Sequence, residues 1–137
     1  MMDLALHDGE GPVTRAAIAC RQDLSADYIA QLFAKLQNAE LVKGVKGPGG
    51  GYILNQQPTD IRVGDIIRAV EGPIALVDCV GPDGDRVCEH TPHCITRKLW
   101  QAASNAISEV LNSMTLDELR AEACRLGEVK LVADCPK

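Results

Sequence analysis

The stretch Lys43-Gly44-Val45-Lys46-Gly47-Pro48-Gly49-Gly50-Gly51-Tyr52-Ile53-Leu54 constrains the fold more than any other part of the chain. Glycine and proline at this density cannot lie inside a helix, because glycine raises the entropic cost of ordering and proline removes a backbone donor. What remains is two short β-prone runs joined by a Gly/Pro-rich connection, the pattern of a hairpin with a longer loop. Residues 42–54 hold two lysines and no acid, and their glycines let backbone N–H groups come close to a phosphate. A nucleotide-cradling loop needs Gly-x-x-x-x-Gly-Lys-Ser/Thr opening a helix, whereas this run leads into Tyr52-Ile53-Leu54. The nucleotide reading is therefore rejected.

Two helices are predicted upstream. Residues 14–21 are Ala-rich and open on Thr14, which can cap them. After a break at Asp23-Leu24, Ser25 is a good N-cap and Asp27 puts negative charge in the first turn. Ile29, Leu32, Phe33 and Leu36 then recur at helical spacing, predicting an amphipathic helix from about Ser25 to Glu40. With Ala16, Ala17 and Ala19 small enough for a close crossing, the pair is a helix-turn-helix or, on this segment alone, equally an αα-hairpin. The hairpin that follows favours the first, since it has the place of a wing. A polar connector at 55–60 and a helix over 63–70, stopping before Gly72-Pro73, close a first module at 1–72.

The remainder, 73–137, is expected to hold a cysteine-bearing loop and a long helix. From Asp78 to His93 the chain is rich in Gly, Pro, Asp, Cys and His without periodicity. Cys79 and Cys88 fall there and Cys94 directly follows, in a Cys-x8-Cys-x5-Cys pattern. Soft thiolates select zinc, Cu(I) or iron-sulfur clusters, and the spacing lacks the Cys-x2-Cys knuckle of common zinc sites, so the residues leave cluster and zinc both open. The other cysteines, Cys20, Cys124 and Cys135, are expected to be structural thiols. Ile95, Leu99, Ala103, Ala106, Ile107, Val110, Leu111 and Met114 trace a continuous helical stripe ending near Ser113-Met114. A second subunit is its expected cover, and a helix capped at Thr115 can pack across it.

The chain has 137 residues, 46% hydrophobic and 24% charged, enough for one compact domain or a small domain with an appended element. Aromatic residues make up only 3%, so the core must come from Leu, Ile, Val and Ala, and the expected class is mainly α with a small β-wing. A net charge of -5 gives no overall polyanion-binding signature, so nucleic-acid binding needs a local patch. No apolar run approaches the roughly 20 residues that cross a bilayer, and Met1–Asp8 lacks the basic flank and cleavage site of a signal peptide. The expectation is a cytoplasmic protein without membrane contact, in which clustered cysteines do metal or redox chemistry. No nucleophile-base pair or paired carboxylate points to an enzyme.

Four segments, in order, resemble the Rrf-type winged-helix transcription regulators: residues 28–36 (Tyr-Ile-Ala-Gln-Leu-Phe-Ala-Lys-Leu), 45–52 (Val-Lys-Gly-Pro-Gly-Gly-Gly-Tyr), 64–72 (Gly-Asp-Ile-Ile-Arg-Ala-Val-Glu-Gly) and Leu99-Trp100. The resemblance covers nearly the whole chain. It implies a homodimer whose winged helix-turn-helix domains read a palindromic double-stranded DNA operator, a long helix that pairs the subunits, and a 2Fe-2S or 4Fe-4S cluster held by Cys79, Cys88 and Cys94. The expected function is a repressor whose operator binding follows the state of that cluster, through the order of the 79–94 loop and the helix beside it. Alternatives are a thiol- or zinc-based redox sensor without a cluster, or an iron-sulfur carrier or interaction module. Relative to the family pattern the chain starts inside the first helix, the first cysteine gap is longer, and Arg97 stands where a histidine ligand is found in cluster regulators. His90, His93 or a carboxylate from the partner subunit are candidates for the fourth ligand.

In a helix-turn-helix, exposed side chains at the start of the second helix enter the major groove. Here these are Ser25, Asp27, Tyr28 and Gln31, with Lys35 one turn on. Gln31 can pair bidentately with an adenine edge, while Ser25 and Tyr28 can bind phosphate. Lys43 and Lys46, with Gly47, Pro48 and Gly49, are expected to place the wing against the minor groove or its phosphates. Ala30 stands where the cluster regulators often carry an acid. Residues 1–55 hold five Lys or Arg against six acids, so dimer geometry and the wing must supply the electrostatic footprint.

Overall fold

The computed structural model describes residues 1–127 apart from 83, 85–87, 89, 91 and 92. Their elements run α1 (Met2–Leu6), α2 (Arg15–Arg21), α3 (Ala26–Asn38), β1 (Val42–Val45), β2 (Gly51–Leu54), α4 (Val63–Glu71), one 3-10 turn (Asp78–Val80), α5 (Arg97–Ser113) and α6 (Leu116–Leu126).

The caps expected from sequence start the helices. Thr14 Oγ1 accepts from Ala17 N and Ser25 Oγ from Tyr28 N, each at 3.1 Å. Both helices end on Schellman turns with an unusual residue at the left-handed position, Asp23 (φ 51) after α2 and Glu40 (φ 57) after α3. Leu24 N donates to Ala19 O at 2.9 Å and Leu41 N to Leu36 O at 3.0 Å, closing the two turns. The Asp23 turn is what swings α3 across α2.

β1 and β2 pair antiparallel, Val42 opposite Leu54 and Val45 opposite Gly51. At the tip Gly47 (φ 105) and Gly49 (φ 74) take positive-φ conformations that residues with a Cβ rarely adopt. Gly51 has a separate reason: Val13 bridges to Tyr52 through hydrogen bonds of 3.0 and 2.8 Å, and a Cβ on Gly51 would lie 2.2 Å from the Val13 carbonyl oxygen. The wing is thus pinned to the chain before α2. It is also docked on α3, where the Phe33 and Tyr52 rings sit 4.2 Å apart.

Leu4, Ile18, Ile29, Phe33, Leu36, Leu41, Ile61 and Leu116 form the centre of one core. α6 returns to the first module, where Leu116 N donates to Ile61 O at 2.9 Å and Arg120 reaches Ala5 O at 3.5 Å. Beside the core the half-buried Arg21 and the buried Asp3 make two 2.7 Å hydrogen bonds that fasten α2 to α1. Its partner's carboxylate holds the Arg21 guanidinium above its ordinary pKa. Burial pushes the Met1 ammonium below its usual value, against the attraction of Asp3.

The long helix is present as expected, starting at Arg97 and ending at Ser113. Ile95 precedes it and is 93% exposed, Leu99 is 62% and Val110 60% exposed, and the helix buries only Ser104. Its apolar stripe is therefore open in the single chain. The following helix is capped by a full capping box: Glu118 N donates to Thr115 Oγ1 while Thr115 N donates to the Glu118 carboxylate. Among the described residues no helix is long and apolar enough to cross a membrane.

Candidate nucleic-acid interface and cysteine loop

The structure places Ser25, Asp27, Tyr28 and Gln31 at the exposed N-terminal end of α3. Tyr28 is 47% exposed, high for an aromatic side chain in a chain this poor in them. Ser25 uses a lone pair as the cap and keeps its hydroxyl proton to donate outward. The α3 N-terminus adds unpaired backbone N–H groups and a partial positive charge to the same spot, a combination that favours phosphate. Lys43 and Lys46 are exposed on the wing with Gly47, Pro48 and Gly49, so wing and helix offer two separate contacts.

The basic side chains divide into engaged and available ones. Arg21 is consumed by Asp3. Lys35 is exposed, but its Nζ donates to the Val70 carbonyl at 2.7 Å, at the end of α4. Arg15, Lys43 and Lys46 remain exposed without a side-chain partner among the described residues. Arg15 was missed in the sequence. Its signal was positional, a basic residue directly after the Thr14 cap, where the first helix of a helix-turn-helix meets the backbone.

α4 joins this module to the long helix. Gly64 is buried, and a Cβ there would lie 2.1 Å from Asn112 Oδ1 of α5. Arg68 donates to Asn112 Oδ1 and to Asp65, both at 2.8 Å. Val63 N donates to Met114 O at 3.0 Å. The glycine lets α5 lie close, and the polar groups fix its register against α4.

Both ends of the cysteine loop are carried by α5. At the entrance, Leu76 N donates to the buried Ser104 hydroxyl at 3.1 Å, and the 3-10 turn with Cys79 follows. Gly84 packs against the Cys79 backbone, where a Cβ would come 2.2 Å from the Cys79 carbonyl oxygen. At the exit, Cys94 Sγ lies 3.2 Å from Thr96 Oγ1 and Arg97 N donates to Cys94 O at 3.4 Å. Thr96 hydroxyl and backbone N–H groups, then the Arg97 N–H, hold the Cys94 thiol below its ordinary pKa and favour the thiolate.

Cys79, Cys88 and Cys94 are free and half-buried, and Cys124 is free and exposed. Cys20 is a correction: it is disulfide-bonded rather than a thiol. Cys135 lies outside the described residues. His90 and His93 are exposed. Among the described residues no three His, Cys, Asp or Glu side chains are gathered as a metal-binding group. As a donor set the three free thiols on one loop still suit an iron-sulfur cluster, which is held by thiolates, and one of them is already biased toward that form.

A helix-turn-helix with a wing docked on its second helix, followed by a long helix with an open apolar stripe, defines a winged-helix DNA-binding regulator. A family model described as Rrf2, iron-dependent transcriptional regulator, matches residues 1–122. The HTH-type transcriptional regulator IscR of Sodalis glossinidius (strain morsitans) is 45% identical over 119 residues, 87% of this chain and 70% of that protein. Among solved structures, IscR of T. potens is similar at 43% identity and a TM-score of 0.71, covering 89% of this chain and 78% of that one. CymR, the global cysteine regulator of B. subtilis, is similar at 41% identity and a TM-score of 0.70, covering 88% and 87%. The chain belongs to the Rrf2 family of transcriptional regulators and is not an enzyme.

Proposed function

We propose that the chain is a cytoplasmic repressor that works as a homodimer on a palindromic operator and senses through an iron-sulfur cluster, 2Fe-2S or 4Fe-4S, on Cys79, Cys88 and Cys94. Residues 1–72 contact DNA and residues 73–137 sense and dimerise. In this reading Gln31 and Asp27 face base edges, Ser25, Tyr28 and Arg15 hold phosphates, and Lys43 and Lys46 bring Gly47, Pro48 and Gly49 of the wing to the adjacent groove. The open stripe of α5 is the dimer face.

The observation that carries the sensing reading is the anchoring of both ends of the cysteine loop on α5, at Ser104 and at Cys94-Thr96-Arg97. A cluster held by Cys79, Cys88 and Cys94 would supply a redox-active centre at the loop. A change at the loop would reach α5 through Ser104 and Thr96, α4 through the Arg68–Asn112 hydrogen bond, and so the spacing of the two α3 helices. A coupling of about 1–3 kcal/mol corresponds to about a 5- to 150-fold change in operator affinity.

A second reading, thiol sensing without a cluster, is favoured by the likeness to the cysteine regulator CymR and by three thiols that are not gathered into one site. Iron and acid-labile sulfide on protein purified without oxygen decide between them. Stoichiometric iron and sulfide, abolished by Cys88→Ser but kept by Cys124→Ala, are expected; their absence moves the function to the second reading. Equal operator affinity with and without the cluster would sink the switch.

A further inference from the structure

Lys35 lies on α3 one turn beyond Gln31, where a basic side chain invites a phosphate role, yet its ammonium is 2.7 Å from the Val70 carbonyl of α4. That carbonyl is in the last turn of α4, where C=O groups have no partner within the helix and the dipole is negative. Gly72 N covers Arg68 O at 3.1 Å, and Gly72 (φ 94) then carries the chain away without a full C-terminal turn. Lys35 therefore caps α4 from a neighbouring helix.

The surroundings make this contact matter. An apolar groove of about 430 Å³, open to solvent, runs beside the contact of α3 with α4; Leu32, Phe33 and Leu36 of α3 and Ile66, Ile67 and Val70 of α4 line it together with residues of α1, α2 and α6. Ile66, Ala69 and Val70 of α4 pack against the core that holds Ile29, Phe33 and Leu36 of α3, and the Lys35 hydrogen bond adds a polar tie at the end of that contact. The Lys35–Val70 hydrogen bond spans this joint. Behind α4 the next joint is firm, through Gly64, Arg68 and Asn112 to α5.

We propose that Lys35 is a positioning residue, which sets the angle of the recognition helix by tying it to α4 and does not neutralise a DNA phosphate. The proposal rests on the reading of α3 as the recognition helix.

The test uses a duplex selected by the protein from a random-sequence pool, with a scrambled duplex as control. Lys35→Gln is expected to weaken the selected duplex about threefold to tenfold and the scrambled one much less, with the salt dependence unchanged. Lys35→Arg, which keeps a donor, restores affinity. In the chain without DNA, Lys35→Gln also raises amide exchange over residues 68–72, which loss of a phosphate contact does not do. A salt slope smaller by about 0.9, the loss of one phosphate contact, overturns the proposal whatever the exchange shows. So do wild-type exchange over 68–72 and wild-type affinity. Tyr28→Ala and Gln31→Ala run alongside: intact binding in both would remove α3 as the recognition helix, while exchange still decides whether Lys35 ties α4.

Discussion

All buried hydrophobic residues of the core except Leu116 lie between Leu4 and Ile61, whereas α5, at 17 residues the longest helix described, buries only the hydroxyl residue Ser104. In the first module α1, α2, α3 and the wing share one apolar centre, and the wing is hydrogen-bonded to Val13 and packed on α3 through Tyr52. α5 instead touches α4 and the 3-10 turn while its stripe from Leu99 to Met114 faces outward. A helix with one unpartnered apolar face draws little stability from propensity alone. The contrast teaches that the two regions are built on different footings, one with its apolar residues enclosed and one with an apolar face left open in the single chain.

The sharpest way to break that contrast is to open the first module from within. Asp3→Ala leaves the part-buried Arg21 guanidinium beside α1 without its carboxylate, and loss of the partner of such a charged hydrogen bond costs about 1–3 kcal/mol. Urea unfolding is expected to show this loss. Unchanged stability would mean that the module does not depend on its own interior in the way described. On the other side, Val110→Lys puts a charge on the open stripe and should leave the unfolding midpoint of the first module in place. It should weaken self-association by about 2 kcal/mol, read by sedimentation; an unaltered dimer would take Val110 out of the interface.

The same contrast explains what the sequence could show. Caps at Thr14, Ser25 and Thr115, the apolar spacing of α3 and the Gly/Pro-rich hairpin are local signals, and the structure repeats them nearly residue for residue. The end of α2 at Arg21 agrees with the sequence, whereas α3 stops at Asn38, short of the Glu40 expected, because Glu40 holds a left-handed position that glycine usually marks. Contacts between distant segments leave no periodicity. The Arg21–Asp3 pair, the bridge from Val13 to Tyr52 and the Arg68–Asn112 contact are of this kind. In the candidate site, exposure of Ser25, Tyr28 and Gln31 followed from their place at the start of a capped helix. The engagement of Lys35 did not, since its acceptor is a main-chain oxygen 35 residues away.

Two threonines sharpen the comparison at its smallest scale. Thr115 caps α6, whereas Thr96 precedes α5 with an αR backbone and no side-chain cap bond, its hydroxyl lying against Cys94 Sγ instead. Thr115→Ala is therefore expected to cost about 1 kcal/mol in thermal or urea unfolding, and Thr96→Ala to change stability much less. The Thr115 backbone N–H, and then its hydroxyl, hold the Glu118 carboxyl below the ordinary 4.5. A depressed carboxylate contributes above its unfolded-state value and loses that contribution as pH falls through the folded one. The stability difference between wild type and Glu118→Gln should thus be constant at neutral pH and shrink only below about 4.5, the ordinary value. A difference that fades between pH 6 and 8 would assign the cap to another group. An equal loss from Thr96→Ala would show that α5 is held at its start by the chain itself, which is what its open stripe and missing cap argue against.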